Sequence, residues 1–144
     1  MITVKILALK SGDAPLYKTA GSSGADLKAG IESALTVKPS EIALVPTGVF
    51  IEIPDGYEGQ IRSRSGLSLK GIVVANGIGT IDSDYRGELK VAIANISSEE
   101  YTIEPNERIA QIVFAKVERA QFELASELSE TSRSDGGFGH TGAQ

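Results

Sequence analysis

The stretch Ile72–Asn95, I-V-V-A-N-G-I-G-T-I-D-S-D-Y-R-G-E-L-K-V-A-I-A-N, decides how the chain is read. In its second part Leu89, Val91 and Ile93 alternate with Lys90 and Ala92, the period of a half-buried strand. Ile72 to Ile78 reads as another strand. Between them G-T-I-D-S-D-Y-R-G puts Asp82 and Asp84 one position apart, followed by Tyr85 and Arg86 and bracketed by Gly79 and Gly87. The expectation is a rigid β-hairpin that presents an acid, an aromatic and a base. Glycine permits close approach of backbone to a ligand. The same residues are also ordinary turn formers.

Outward from this stretch the pattern stays β. Ile2–Leu9 has the composition of a first strand, stopped by Ser11, Gly12, Asp13 and Pro15. Leu35–Val37 and Glu41–Ile53 follow, interrupted by Pro39, Pro46 and Gly48, with Val49, Ile51 and Ile53 on one face. P-D-G-Y, Pro54–Tyr57, is a turn. Gln60, Arg62 and Arg64 alternate with Ile61 and Ser63, which predicts two guanidinium groups on one face of a strand. Ser65 stands where it can cap a helical turn over Ser65–Lys70. Tyr101–Ile103 is a short strand, Glu104–Arg108 a turn and Arg108–Val117 a long strand, with Gln111 a polar interruption of the face formed by Ile109, Val113 and Ala115. Short strands, frequent turns and one short helix indicate an all-β sandwich or barrel.

The bulk properties bound the function. At 144 residues the chain has room for one core. It has no Cys and one His, which excludes disulfides and thiolate chemistry and argues against an ordinary zinc site. A net charge of −5 argues against a broad nucleic-acid or anionic-membrane surface, so an anionic ligand has to be met by a local basic cluster. The apolar run after Met1 is too short to span a bilayer and lacks a basic flank, and the expectation is a soluble, cytoplasmic protein. The acidic run Glu123–Glu130 separates a body, residues 1–130, from a Gly-rich tail, residues 131–144.

Individual residues suggest a phosphate ligand. Arg64 and Ser65 lie where a strand meets a helical turn, and arginine gives planar, bidentate recognition of phosphate. The tail offers Arg133, Ser134 and Thr141, and glycines that expose backbone amides. Phe138 has nothing local to pack on and could stack on a planar ring. Asp26 is unusual within a strand and has the ordinary reading of a carboxylate that bonds neighbouring amides or water.

Five segments in order carry a resemblance: A-G-S-S-G-A-D-L, R-S-R-S-G-L-S-L-K-G, N-G-I-G-T-I-D-S-D-Y-R-G-E-L, E-R-I-A-Q-I-V-F and R-S-D-G-G-F-G-H-T-G. Their order and spacing resemble the motifs of the trimeric dUTPases, the deoxyuridine triphosphate nucleotidohydrolases, over essentially the whole chain. The resemblance implies a distorted jelly-roll-like β-barrel and hydrolysis of dUTP to dUMP and pyrophosphate with Mg²⁺. It implies Asp82 as general base and Tyr85 against the deoxyribose. Asn76 and the backbone from Gly77 to Ile81, Gly79 included, would pair with the uracil edge. Arg64, Ser65, Gly66 and Gln111 would meet the phosphates, and Asp26 would bind a magnesium-coordinated water. Arg133, Phe138, Gly139 and Thr141 would close over the nucleotide, in a homotrimer whose sites lie between subunits. The chain departs from the family at Ser134, where glycine is usual, at His140, where serine is usual, and at Asn106, often glycine. Two other readings stay open: a deoxycytidine triphosphate deaminase, related in fold, and a non-catalytic nucleotide-binding module.

Overall fold

A computed structural model describes residues 1–137. Its strands are β1 (Lys5–Ala8), β2 (Ala25–Lys28), β3 (Leu35–Val37), β4 (Ile42–Glu52), β5 (Tyr57–Arg62), β6 (Ile72–Val74), β7 (Ile78–Ile81), β8 (Glu88–Asn95), β9 (Tyr101–Ile103) and β10 (Arg108–Lys116). A single helical turn, α1 (Ser65–Ser68), follows β5, and a 3-10 turn spans Ser11–Asp13. The strands form two four-stranded sheets, ordered β1-β4-β8-β6 and β2-β10-β5-β7, and a small pair β3-β9. Every pairing is antiparallel. The fold is the expected all-β sandwich of jelly-roll-like type.

The core lies between the large sheets. Val45, Val49 and Ile51 of β4 and Leu89, Val91 and Ile93 of β8 face Ala25 and Leu27 of β2, Ile61 of β5 and Ala110 and Ile112 of β10 in one buried cluster. Leu67 plugs α1 into the same cluster. Each such aliphatic side chain contributes about 1.5–3 kcal/mol by leaving water. The predicted alternation in β8 and in Val49–Ile53 is observed.

Three local expectations change. Pro46 and Gly48 do not interrupt β4. They produce a bulge between Pro46 and Phe50 opposite β8, with Gly48 at φ 70° and the Thr47 hydroxyl donating to the Leu89 carbonyl at 2.7 Å. A second bulge, between Arg108 and Ala110, puts Ile109 into the core and leaves Gln111, Val113 and Ala115 half-buried on the other face. Ser65 is not the helix cap: Arg64 occupies that position, with no side-chain capping bond, while its carbonyl accepts from Ser68 Oγ at 3.0 Å.

The largest change concerns the opening stretch, which is not a simple hairpin. β6 and β8 pair with each other in one sheet, Val73 opposite Ala94, while β7 crosses to the other sheet and pairs with β5. The turn Val74–Gly77, closed by the Gly77 amide on the Val74 carbonyl with Gly77 at φ 69°, carries the chain out, and Asp82–Gly87 carries it back.

The body ends with β10 at Lys116, and residues 118–135 are exposed. Asn106 takes the left-handed conformation at φ 64°, as its side chain permits, and Ser134 does so at φ 49°.

Candidate active site

The sequence-predicted residues fall into two groups, and the register of the β2-β10-β5-β7 sheet shows how far apart they are. Asp26, Gln111, Arg62 and Ile78 are successive partners across the four strands. Arg64, Ser65 and Gly66 lie just past this row, where β5 runs out into α1. Because β7 is antiparallel to β5 and pairs Ile81 with Gly59, Asp82 emerges at the opposite end, beside the Pro54–Tyr57 turn. Six residue steps of extended chain run from Glu58 to Arg64, a span of about 20 Å.

The first group is a cluster of long-range polar contacts. The half-buried Asp26 carboxylate accepts from Arg108 Nη1 at 3.0 Å and lies 3.4 Å from Arg64 Nε. Arg64 Nη1 also donates to the Arg108 carbonyl at 2.7 Å. Gln111 Nε2 donates to the Ser63 carbonyl at 3.0 Å, and Ser63 Oγ accepts from the Val74 amide at 2.8 Å. The chain leading into Arg64 is therefore pinned from two sides. Among the described residues the Asp26 carboxylate bonds arginine side chains, not neighbouring amides. The two guanidinium groups predicted to share a face part company, because Arg62 bonds Gln60 beside it on β5. Ser65 and Gly66 are exposed at the start of α1.

Arg108 is a member of this cluster that sequence reasoning passed over, although it stands in E-R-I-A-Q-I-V-F. Its approach is set by the preceding turn, where the Tyr101 hydroxyl donates to Glu107 and Glu107 Oε2 accepts from the Glu104 amide at 3.0 Å. Burial first, and then this carboxylate, push the Tyr101 hydroxyl up to about 12. Gly24 was also missed: a Cβ there would lie 2.2 Å from Gln111 Oε1, so the glycine makes room for that amide.

The second group sits on β7 and the loop after it. β7 is an edge strand, so among the described residues one side of the Ile78–Ile81 backbone has no strand partner and presents amides and carbonyls outward. Asn76 lies over this strand, its Nδ2 only 3.2 Å from where a Gly79 Cβ would be. Among the described residues the exposed Asp82 carboxylate has no hydrogen-bond or ion-pair partner, unlike Asp26. Its carbonyl closes the turn by accepting from the Tyr85 amide at 3.2 Å. The Tyr85 hydroxyl donates to the Glu88 carbonyl at 2.9 Å. Arg86 Nη1 donates to the Ser83 carbonyl at 2.6 Å and the Tyr85 carbonyl at 2.9 Å, so arginine, not Asp84, locks the loop. Asp82, Ser83 and Asp84 border a 590 Å³ recess completed by Asp55–Glu58 and Val117–Arg119.

Of the tail residues singled out, Arg133 is exposed and turns back on itself, Nε donating to the Gly136 carbonyl at 2.8 Å. Phe138, Gly139 and Thr141, with His140, lie outside the described residues. Among the described residues no three of His, Cys, Asp and Glu converge to hold a metal ion. Mg²⁺ commonly takes substrate phosphates and water rather than a protein cage, a demand that such a donor set meets. No helix among the described residues is long and apolar enough to cross a membrane.

An antiparallel two-sheet sandwich, with two arginines paired to a carboxylate at one sheet end and a carboxylate unpartnered among the described residues at the other, places the chain in the class of jelly-roll-like all-β proteins. The chain belongs to the dUTPase family, whose profile matches residues 10–142. It is 54% identical over 140 residues to the deoxyuridine 5′-triphosphate nucleotidohydrolase of Finegoldia magna, covering 96% of this chain and 98% of that one. It is 51% identical over 142 residues to that of Fusobacterium nucleatum, covering 98% and 97%. Among solved structures, the Staphylococcus bacteriophage 80alpha dUTPase with dUPNHPP matches with a TM-score of 0.87 at 27% identity, over 99% of both chains. A mutant dUTPase from phage phi11 of S. aureus, whose structure reveals the coordination of a structural Mg(II) ion, matches in fold with a TM-score of 0.78 at 23% identity, over 90% of this chain and all of that one.

Proposed function

We propose that the protein hydrolyses dUTP to dUMP and pyrophosphate as a cytoplasmic homotrimer, limiting uracil in DNA and supplying dUMP for thymidylate synthesis. Asp82 takes a proton from a water that attacks the α-phosphorus, and the bond from that phosphorus to the bridging oxygen breaks, releasing pyrophosphate. The observation that carries this reading is the contrast between the two carboxylates. Asp26 is neutralised by Arg64 and Arg108, whereas Asp82 stands exposed, without a partner among the described residues, on a self-bonded loop. General-base assistance is worth about 10²–10⁴-fold, so positioning and electrostatic stabilisation supply the rest of the rate.

The free edge of β7 suits recognition of a base. Backbone amides and carbonyls in a fixed strand offer an invariant donor and acceptor pattern that uracil matches and cytosine does not. Close approach of that backbone leaves no space for a 5-methyl group. Asn76 supplements the edge, and Tyr85 walls the deoxyribose. Arg64, Ser65, Gly66 and Gln111 meet the phosphates. Mg²⁺ bound with the triphosphate would offset phosphate charge, and Asp26 would hold it through water. Arg133, Phe138, Gly139 and Thr141 of the tail close over the nucleotide.

The separation of about 20 Å between Asp82 and Arg64 supports the trimer, because one chain does not bring the general base and the phosphate-binding arginine together. A neighbouring subunit supplies the missing half. Exposed Ile42 and Leu44 on β4, and Phe122, Leu124 and Leu128 beyond β10, are apolar surface suited to contacts between copies. Pyrophosphate release from dUTP, UTP, dTTP and dCTP tests the reading. Release from dUTP alone is expected, and ammonia from dCTP would overturn it in favour of a deaminase.

A further inference from the structure

Gly48, Gly56, Gly71 and Gly77 have positive φ, and their backbone conformation accounts for them. Gly87 lies outside that region, so its backbone does not call for glycine. Its surroundings do. A Cβ built on Gly87 would lie 2.3 Å from the Tyr85 hydroxyl oxygen, 2.5 Å from Cζ and 2.9 Å from Cε2. These atoms belong to one rigid side-chain end, so rotating a terminal group does not relieve the overlap. The ring as a whole has to swing away.

We propose that Gly87 is a specificity-determining residue: with no side chain, it lets the Tyr85 ring take the position that closes the space beside the sugar C2′ and excludes a ribonucleotide. The inference rests on the dUTP reading and deepens it. One bond fixes the Tyr85 ring against Gly87, and two hold the tyrosine backbone. Its hydroxyl donates to the Glu88 carbonyl at 2.9 Å, its amide closes the turn on Asp82, and its carbonyl accepts from Arg86. Glu88 is itself anchored, its carboxylate accepting from the Gly48 amide at 2.8 Å across to β4. A methyl group at position 87 breaks the hydroxyl bond and moves the ring, opening the sugar pocket while Asp82 and the β7 edge remain in place.

The test measures kcat/KM for pyrophosphate release from dUTP and from UTP with the full-length chain. Gly87→Ala is expected to raise the UTP-to-dUTP ratio roughly tenfold or more, with a smaller loss on dUTP. Tyr85→Phe, which loses the anchoring bond but keeps the space, is expected to raise it about fivefold. A folded Gly87→Ala protein that turns over dUTP with the wild-type ratio overturns the proposal. If Gly87→Ala does not fold, by thermal unfolding, an unchanged ratio in Tyr85→Phe overturns it instead. Failure of the unaltered protein to cleave dUTP would sink the functional reading itself, a different result from an unchanged ratio.

Discussion

The two halves of the candidate site are built in opposite ways. The turns of the base-and-sugar half, Val74–Gly77 and Asp82–Glu88, are closed by bonds among residues close in sequence: the Gly77 amide, the Tyr85 amide and the Arg86 clasp. The phosphate half is assembled from distant strands, with Asp26 and Arg108 bonded across 82 positions of sequence and Gln111 and Ser63 across 48. A locally organised half leaves its chemistry-bearing group unpartnered. The long-range half pairs its charges with one another, so its arginines serve the fold.

That contrast is easiest to break at Asp82. Asp82→Asn is expected to lower pyrophosphate release from dUTP by about 10²–10⁴-fold, with unchanged melting temperature and retained binding of a non-hydrolysable dUTP analogue. Near-normal turnover would remove the base from the scheme. Next in size, deletion from Arg133 onward is expected to abolish most turnover without altering the unfolding transition, since among the described residues no β-element lies beyond Lys116. Full activity in the truncated chain would exclude a lid.

Whether the halves meet between copies can be read by complementation. Asp82→Asn and Arg64→Ala chains, each inactive alone, should regain activity when refolded together, with about a quarter of sites intact in randomly mixed trimers. No regain would place both halves of each site on one chain. The smallest effect is expected from Asp26→Asn, which leaves Arg64 and Arg108 facing each other without their shared counter-charge. A loss of about 1–3 kcal/mol in chemical unfolding is expected, together with a raised KM for dUTP. An unchanged stability would mean that the cluster is formed only with ligand.

Much of this was legible in the residues. Leu89, Val91 and Ile93 announced β8, Pro54–Tyr57 its turn, and Asn106 the left-handed position it occupies. The motif order pointed to the family. What stayed hidden was pairing. Ile78–Ile81 alternates equally well against either neighbour, and only the whole fold selects β5 over β8. Asp26 was conspicuous as an acid in a strand, but its partners at 64 and 108 leave no local trace. Gly87 and Gly24 read as loop glycines, because nothing in a sequence shows that a tyrosine ring or a glutamine amide rests on them.

The course of residues 72–95 has a consequence for how the protein matures. Because β6 and β8 pair in one sheet while β7 lies in the other, the loop bearing Asp82 and Tyr85 is drawn into place only when both sheets exist. No half-folded chain, with one sheet ordered and the other not, can display this surface. Such non-local pairing forms late and slowly. Recovery of activity during refolding is thus a stringent reporter of completed folding, and a partly folded chain is catalytically silent rather than merely less active.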